Sequence, residues 1–293
     1  NGFIVDAPTG GSFLKDGHYH IHAQSHASSL ILQNTKDFFI HQGAHLMTDQ
    51  TMTEGVNASF RNHGTFSSHR THLNIIEFTN GVNGKLDVGE LFQGSFTTFQ
   101  NDGETVVKGL AFIQTHRGRI TGNFKARGAF IKFDQDLLLP KTSRFEIQEH
   151  LHLSGQRNIQ IHGDIQLKFN LNGPKAIFST EIQNELKKIK PGIFINAKEN
   201  LIKTGPVIAH QGSIHYLAGK KFEATVGVTR SGFFEKNAIQ IQAQIAQLED
   251  RMHSFHDLQL KANSAILLGK RDIQDTFRLN VDQLEQKSGD ITQ

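Results

Sequence analysis

One phrase, a phenylalanine followed two residues later by Asn and then by Gly, recurs three times in the first third of the chain. The copies are Phe60-Arg61-Asn62-His63-Gly64, Phe78-Thr79-Asn80-Gly81 and Phe99-Gln100-Asn101-Asp102-Gly103. Their phenylalanines stand 18 and then 21 residues apart. A phrase that returns after about twenty residues is the mark of a repeat architecture, and it narrows the fold more than any propensity does. Directly after an apolar strand residue, Asn and Gly supply the left-handed backbone positions of a tight turn.

A related phrase, Gly-x-Phe, occurs at Gly11-Ser12-Phe13, Gly64-Thr65-Phe66, Gly94-Ser95-Phe96, Gly128-Ala129-Phe130 and Gly192-Ile193-Phe194, and predicts a strand start at each. Elsewhere, short runs alternate apolar and polar residues, as a strand with one buried face requires. Examples are Tyr19-x-Ile21-x-Ala23, Leu30-x-Leu32, Phe145-x-Ile147, Leu151-x-Leu153, Ile159-x-Ile161 and Ile165-x-Leu167-x-Phe169. Near the end, Ile239-x-Ile241, Leu258-x-Leu260 and Phe277-x-Leu279 start at intervals of 19. Sandwiches and barrels turn about every 8–12 residues, whereas a parallel solenoid returns to the same face after one coil. A recurrence near twenty favours the solenoid over a pair of all-β sandwiches. The expected fold is therefore all-β: a right-handed parallel β-helix with irregular coils, forming one continuous domain over residues 1–293. Two stretches resist that reading. Glu181 to Lys190 places Ile182, Leu186 and Ile189 at helical spacing before Pro191-Gly192, and Ala243 to Met252 is rich in good helix formers. Each is read as a helix or a loop excursion.

Composition sets the function classes. The chain has 293 residues, 31 Lys+Arg against 28 Asp+Glu, 17 His, 23 Phe and no Cys. A surplus of three positive charges, with tight basic groups only at Lys187-Lys188-x-Lys190 and Lys220-Lys221, gives no footprint for nucleic acid. The longest apolar runs are far short of the ~18 residues that span a bilayer, so no transmembrane segment is expected. Without cysteine there are no disulfides, thiolate metal sites or Cys nucleophile, which is compatible with export through an oxidising compartment. The chain begins at Asn1 without Met and ends in Ile291-Thr292-Gln293, which reads as strand, so we take it as a segment of something longer.

Irregular repeats near twenty, Phe-x-Asn-x-Gly turns, glycine-punctuated strands and no cysteine resemble the repeat region of filamentous hemagglutinin and the related contact-dependent inhibition exoproteins of two-partner secretion systems. The resemblance covers roughly residues 55–285. It implies a β-helical stalk that is exported through a dedicated outer-membrane pore and displayed on the bacterial surface or secreted. Its role would be reach and adhesion to a host or neighbouring-cell receptor or glycan, without catalysis or cofactor. The Asn-Pro-Asn-Gly and Asn-Pro-Asn-Leu motifs of the family's secretion domain are absent, and Phe, His and Gln are more frequent than is usual there. The alternative from another class is a β-helical carbohydrate-active enzyme or a tailspike-like polysaccharide binder.

The densest chemical cluster is His18-x-His20-x-His22, with His26 close behind. On a strand the first three face one way, and neutral imidazoles suit Zn, Ni or Cu. Residues i and i+2 lie about 6.5–7 Å apart, however, and no carboxylate is spaced to complete a ligand set. A solvated outer face explains the pattern more simply, so no metal site is assigned, and His18, His20 and His22 are kept as the candidates. A solvated face is also the reading for His69 with His72, His150 with His152 and His253 with His256. Glycoside cleavage needs two carboxylates about 5–9.5 Å apart. Asp134-x-Asp136 and Glu249-Asp250 are the local pairs, and both read as surface pairs. No Gly-x-Ser-x-Gly elbow, phosphate-binding loop or His-Glu-x-x-His helix is present. The basic stretch Asn123-Phe124-Lys125-Ala126-Arg127 reads as a turn with solvated charges.

Overall fold

The structure, a computed structural model, describes residues 12–13, 17–33, 35–54, 58–168, 179–180, 183–184, 187, 190–232, 237–286 and 291–292. These residues build a parallel β-solenoid, in which strands pair with the equivalent strand one coil away. The expected sandwich alternative is excluded by that pattern, because hairpin-joined sandwich strands would pair antiparallel. The chain forms two compact units, Asn1–Lys132 with Pro174–Leu186, and Phe133–Gly173 with Lys187–Gln293.

In the first unit each coil feeds three ladders. One passes through Leu46, Phe66, Leu86 and Thr105, and a second through Thr51, Thr71, Phe92 and Ala111. The third joins Phe38, Phe60, Phe78 and Phe99. All of these side chains point inward and are buried. The recurring phrase is thus one column of the coil: the Phe38, Phe60, Phe78 and Phe99 rings stack at centroid spacings of 5.1, 5.6 and 5.3 Å. Stacking at these distances is the favourable offset geometry, added to the burial of four large apolar side chains.

The Asn and Gly of the phrase have a different role from the one expected. Among the described residues positive φ falls at Gly43, Gly192, Gly212, Gly269 and Val226, and at none of the phrase positions. Asn62, Asn80 and Asn101 instead point into the coil and form a second internal column. Asn62 Nδ2 donates to Asn80 Oδ1 at 2.9 Å, and Asn80 Nδ2 donates to Asn101 Oδ1 at 2.8 Å. The same amides donate to the carbonyls of Lys85 and Glu104 at 3.0 Å, so the column ties each corner to the strand that opens one coil further on. Gly103 is glycine because of close approach: an added Cβ would lie 2.2 Å from the Gly84 carbonyl oxygen.

The second unit also carries three ladders. They run through Ile159, Leu201, Phe222, Ala246 and Ala265, through Ile165, Val207, Thr229, Met252 and Arg271, and through Ile193, Ile214, Ile239, Leu258 and Phe277. The alternating runs at Phe145, Ile159, Ile239, Leu258 and Phe277 are strands, as expected. Ile291–Thr292 is a strand as well. Gly11 and Phe169, from two of the expected strand phrases, lie outside the described residues.

Four local expectations are corrected. Gly94-Ser95-Phe96 and Gly128-Ala129-Phe130 lie inside the strands Lys85–Asn101 and Asn123–Phe133 and do not start them. Ala243 to Met252 is not helical: Ile245–Leu248 and Arg251–Ser254 are strands, with Ala246, Leu248 and Met252 inward. The period of two, and pairing to the coil before, override the helix propensity of Gln, Ala and Leu. The basic stretch after Gly122 is not a turn but part of the strand Asn123–Phe133, with Phe124 and Ala126 buried. The alternation at Tyr19 stops at Ile21, so His22 and Ala23 lie just past the strand Gly17–Ile21.

Between Leu151 and its ladder partner Ile193 the step is 42 residues, against 21 from Ile193 to Ile214. One extra coil length of sequence thus separates Asp164–Leu167 from Gly192–Ala197. Within it, Thr180, Gln183, Asn184 and Lys187 are helical, and the Gln183 amide donates to the Ser179 carbonyl at 3.0 Å. The helical reading of Glu181 to Lys190 holds at those positions, while Ile182, Leu186 and Ile189 lie outside the described residues. No helix among the described residues is long and apolar enough to cross a membrane.

Candidate functional site

The strand Gly17–Ile21 pairs with Thr35–Ile40, placing Ile21 beside Ile40. The next residue on each, His22 and His41, therefore meets its counterpart at the corner of the coil. Their rings stack at 3.9 Å between centroids, with 19° between planes. His20, two residues earlier on the same outward face, shares a hydrogen bond with His41, Nδ1 to Nε2, at 2.9 Å. His20 also stacks on His22 at 5.9 Å and on Phe39 at 5.8 Å. Ligand nitrogens of His20, His22 and His41 all lie within 4.8 Å of one another. Desolvation lowers the proton affinity of His41 below the ordinary histidine value, and the neighbouring charges of His22, His20 and His63 push it the same way.

The candidates named from sequence divide here. His20 and His22 come together, but His18 does not join them: its Nδ1 lies 2.7 Å from Asp37 Oδ2, one coil on. His41 was missed, because its relation to His22 is a coil step and not a local spacing. The signal was present in the sequence, since His22, His41 and His63 recur at 19 and 22 residues. His63 continues the column behind a stack of its ring on Phe39 at 5.1 Å. His26 is exposed and takes no part in this group.

The other histidine pairs are not all solvated. His150 is buried, with Nδ1 hydrogen-bonded to the Lys190 carbonyl at 3.0 Å. Burial lowers the proton affinity of both His150 and His152. His69 faces Glu90 at 3.4 Å and His256 faces Asp275 at 3.3 Å.

The structure sets partners for three of the four candidate carboxylates. Asp136 accepts from the Asn158 amide and side chain at 3.1 and 3.0 Å. Glu249 points outward and accepts from Gln247 at 2.7 Å, whereas Asp250 points inward and is wholly buried. Sequence reading took Asp250 for a surface group. Inside the second unit it accepts from Lys203 Nζ at 2.6 Å and from Thr229 Oγ1 at 2.9 Å. Arg271 is buried nearby and donates to the carbonyls of Leu248 and Gly269 at 2.9 and 2.8 Å. Lys203 and Arg271 stand at ladder positions that Ile161 and Met252 fill on neighbouring coils.

One outward face of the second unit is concave. A groove of about 510 Å³ runs across consecutive coils, lined by His152, Phe194, His215, Gln240, Gln259 and Arg278. Phe194 and His215 stack at 4.5 Å with 9° between planes. The groove carries aromatic rings, side-chain amides and cations, and none of the residues lining it is acidic.

No family model, curated protein or solved structure matches this chain.

Proposed function

We propose that this chain is a non-catalytic structural segment, a stalk or adhesive stretch of a large secreted or surface-displayed exoprotein of the filamentous hemagglutinin kind. The observation that carries the reading is the interior. Phenylalanine stacks on phenylalanine and asparagine on asparagine from coil to coil, while of the candidate carboxylates Asp136 is engaged by Asn158 and Asp250 is turned into the core. A sequence selected for such columns specifies coil-to-coil propagation, the property a stalk needs. Export through an outer-membrane pore fits a chain without cysteine.

The test is labelling of intact native cells with antibody raised against residues 58–168, compared with permeabilised cells and culture supernatant. Labelling of intact cells or supernatant, lost on deletion of the exporting pore, supports the stalk. Signal confined to permeabilised cells overturns it.

A second reading, a polysaccharide binder, is favoured by the groove. Side-chain amides match sugar hydroxyls, and the Phe194–His215 stack offers an apolar wall to a sugar ring. Binding to immobilised glycans that is lost in Phe194→Ala supports it. Release of new reducing ends from a bound polysaccharide would instead establish the carbohydrate-active enzyme.

A further inference from the structure

We propose that His20, His22 and His41 form a binding site for a divalent transition-metal ion of the zinc class at a corner of the first unit. Three imidazole nitrogens face one small volume within 4.8 Å of one another, and two of them are already 2.9 Å apart. Zinc held at 2.0–2.1 Å by nitrogen sets its tetrahedral ligand atoms about 3.3 Å apart. One pair therefore needs to open by a few tenths of an ångström, and the third nitrogen needs to close by a rotamer adjustment.

The donor set selects the ion. Three nitrogens with no oxygen ligand suit Zn²⁺, Ni²⁺ and Cu²⁺ and not Mg²⁺ or Ca²⁺, which take oxygen. His20 and His22 stand on one coil and His41 on the next, so the ion clamps two coils, adding metal bonds to the strand pairing and ring contacts that already join them there. The rings are also held in place before any ion arrives. Phe39 stacks or tilts against His20, His41 and His63 at 5.8, 4.4 and 5.1 Å, and His22 lies flat on His41. A three-histidine cap leaves a fourth position for water or for a donor from another molecule. His18 is outside the set, engaged with Asp37.

The experiment is calorimetric titration of the full chain with Zn²⁺ alone, and separately with Ni²⁺ alone, followed by thermal unfolding with and without one equivalent of metal. The expected result is one site per chain, with a rise in the unfolding temperature on saturation. Loss of one ligand weakens the site by about tenfold or more, at least what loss of a supporting contact costs. That loss is expected in both His41→Ala and His22→Gln, while His18→Ala binds as the parent does. Circular dichroism confirms the fold of each variant, and His22 is exposed enough for His22→Gln to remain folded if His41→Ala does not. Absence of a saturable site, or undiminished affinity in His22→Gln, overturns the proposal.

Discussion

Lys203 Nζ lies 2.6 Å from Asp250 Oδ2, and neither side chain is reached by solvent. Burial pushes the lysine amine below its ordinary value and the aspartate carboxyl above its own, and attraction between the two opposes both shifts. Removing one partner leaves a buried group without its counter-charge, at a cost of about 3–5 kcal/mol, whereas replacing both by apolar residues is often neutral or stabilising. Lys203→Met and Asp250→Leu are each expected to lower the denaturant midpoint strongly, and the double variant to recover most of the loss. Equilibrium unfolding of the four proteins checks this. A double variant as unstable as the sum of the singles would show that the pair has no mutual dependence.

The phenylalanine column supplies the second prediction. Phe78 is fully buried between Phe60 and Phe99, with Phe92 and Phe96 also within ring contact. Phe78→Ala should cost about 3–5 kcal/mol, the range for a large aromatic removed from a packed core. Phe112 stacks on Phe130 at 4.9 Å but stands half-buried. Phe112→Ala should cost less, about 1–2 kcal/mol. Comparable losses in the two variants would mean that the outward pair matters as much as the inner column.

These two sites mark how far the sequence could be read. The Phe60, Phe78 and Phe99 column was legible because the same residue recurs at the coil step and alternates with polar neighbours. The Asn beside each Phe was legible as a recurrence but not as a buried column. A turn and an inward amide ladder demand the same residue type at the same place, and only backbone dihedrals separate them. Lys203 and Arg271 were illegible, since alternation assigns charged residues to the outer face, and the partner of Lys203, Asp250, comes from a different coil. His41 falls between these cases: its coil step from His22 was in the sequence, but a search for local ligand spacing passes over it.

Asn80 offers a test of the amide column. Its side chain accepts from Asn62 and donates both to Asn101 Oδ1 and to the Glu104 carbonyl. Asn80→Ala removes these bonds and a longer one to Thr105 Oγ1 at 3.4 Å and strands buried partners, with an expected loss of about 2–3 kcal/mol. Asn80→Asp keeps the acceptor but points a carboxylate at two oxygens, so at neutral pH it should be less stable than Asn80→Ala. Acidification should narrow that gap as the new carboxyl gains a proton to donate. Thermal unfolding of both variants at pH 7 and pH 4 measures it, and an Asp variant as stable as the parent at neutral pH would remove the amide from its proposed role.

Glu90 gives a prediction about acid. Burial by itself raises its carboxyl, but hydrogen bonds from Arg70 Nε at 2.5 Å and from the Ser179 backbone amide, with the Arg70 charge, outweigh that and hold it at about 2, down from 4.5. A carboxyl that is more acidic in the folded chain contributes stability that is fully present above its unfolded value and is lost as pH falls toward its folded value. The contribution of Glu90 is therefore complete above pH 4.5 and drains away between 4.5 and about 2. Glu90→Gln should be less stable than the parent at pH 7, and the difference should shrink steadily through that window. Because Ser179 comes from the stretch between the strands Asp164–Leu167 and Gly192–Ala197, the same variant should expose the Ser179 amide to faster hydrogen exchange. Unfolding midpoints of both proteins from pH 7 to pH 2 test the linkage. A constant difference across the range would mean that Glu90 acts through shape and not through its charge.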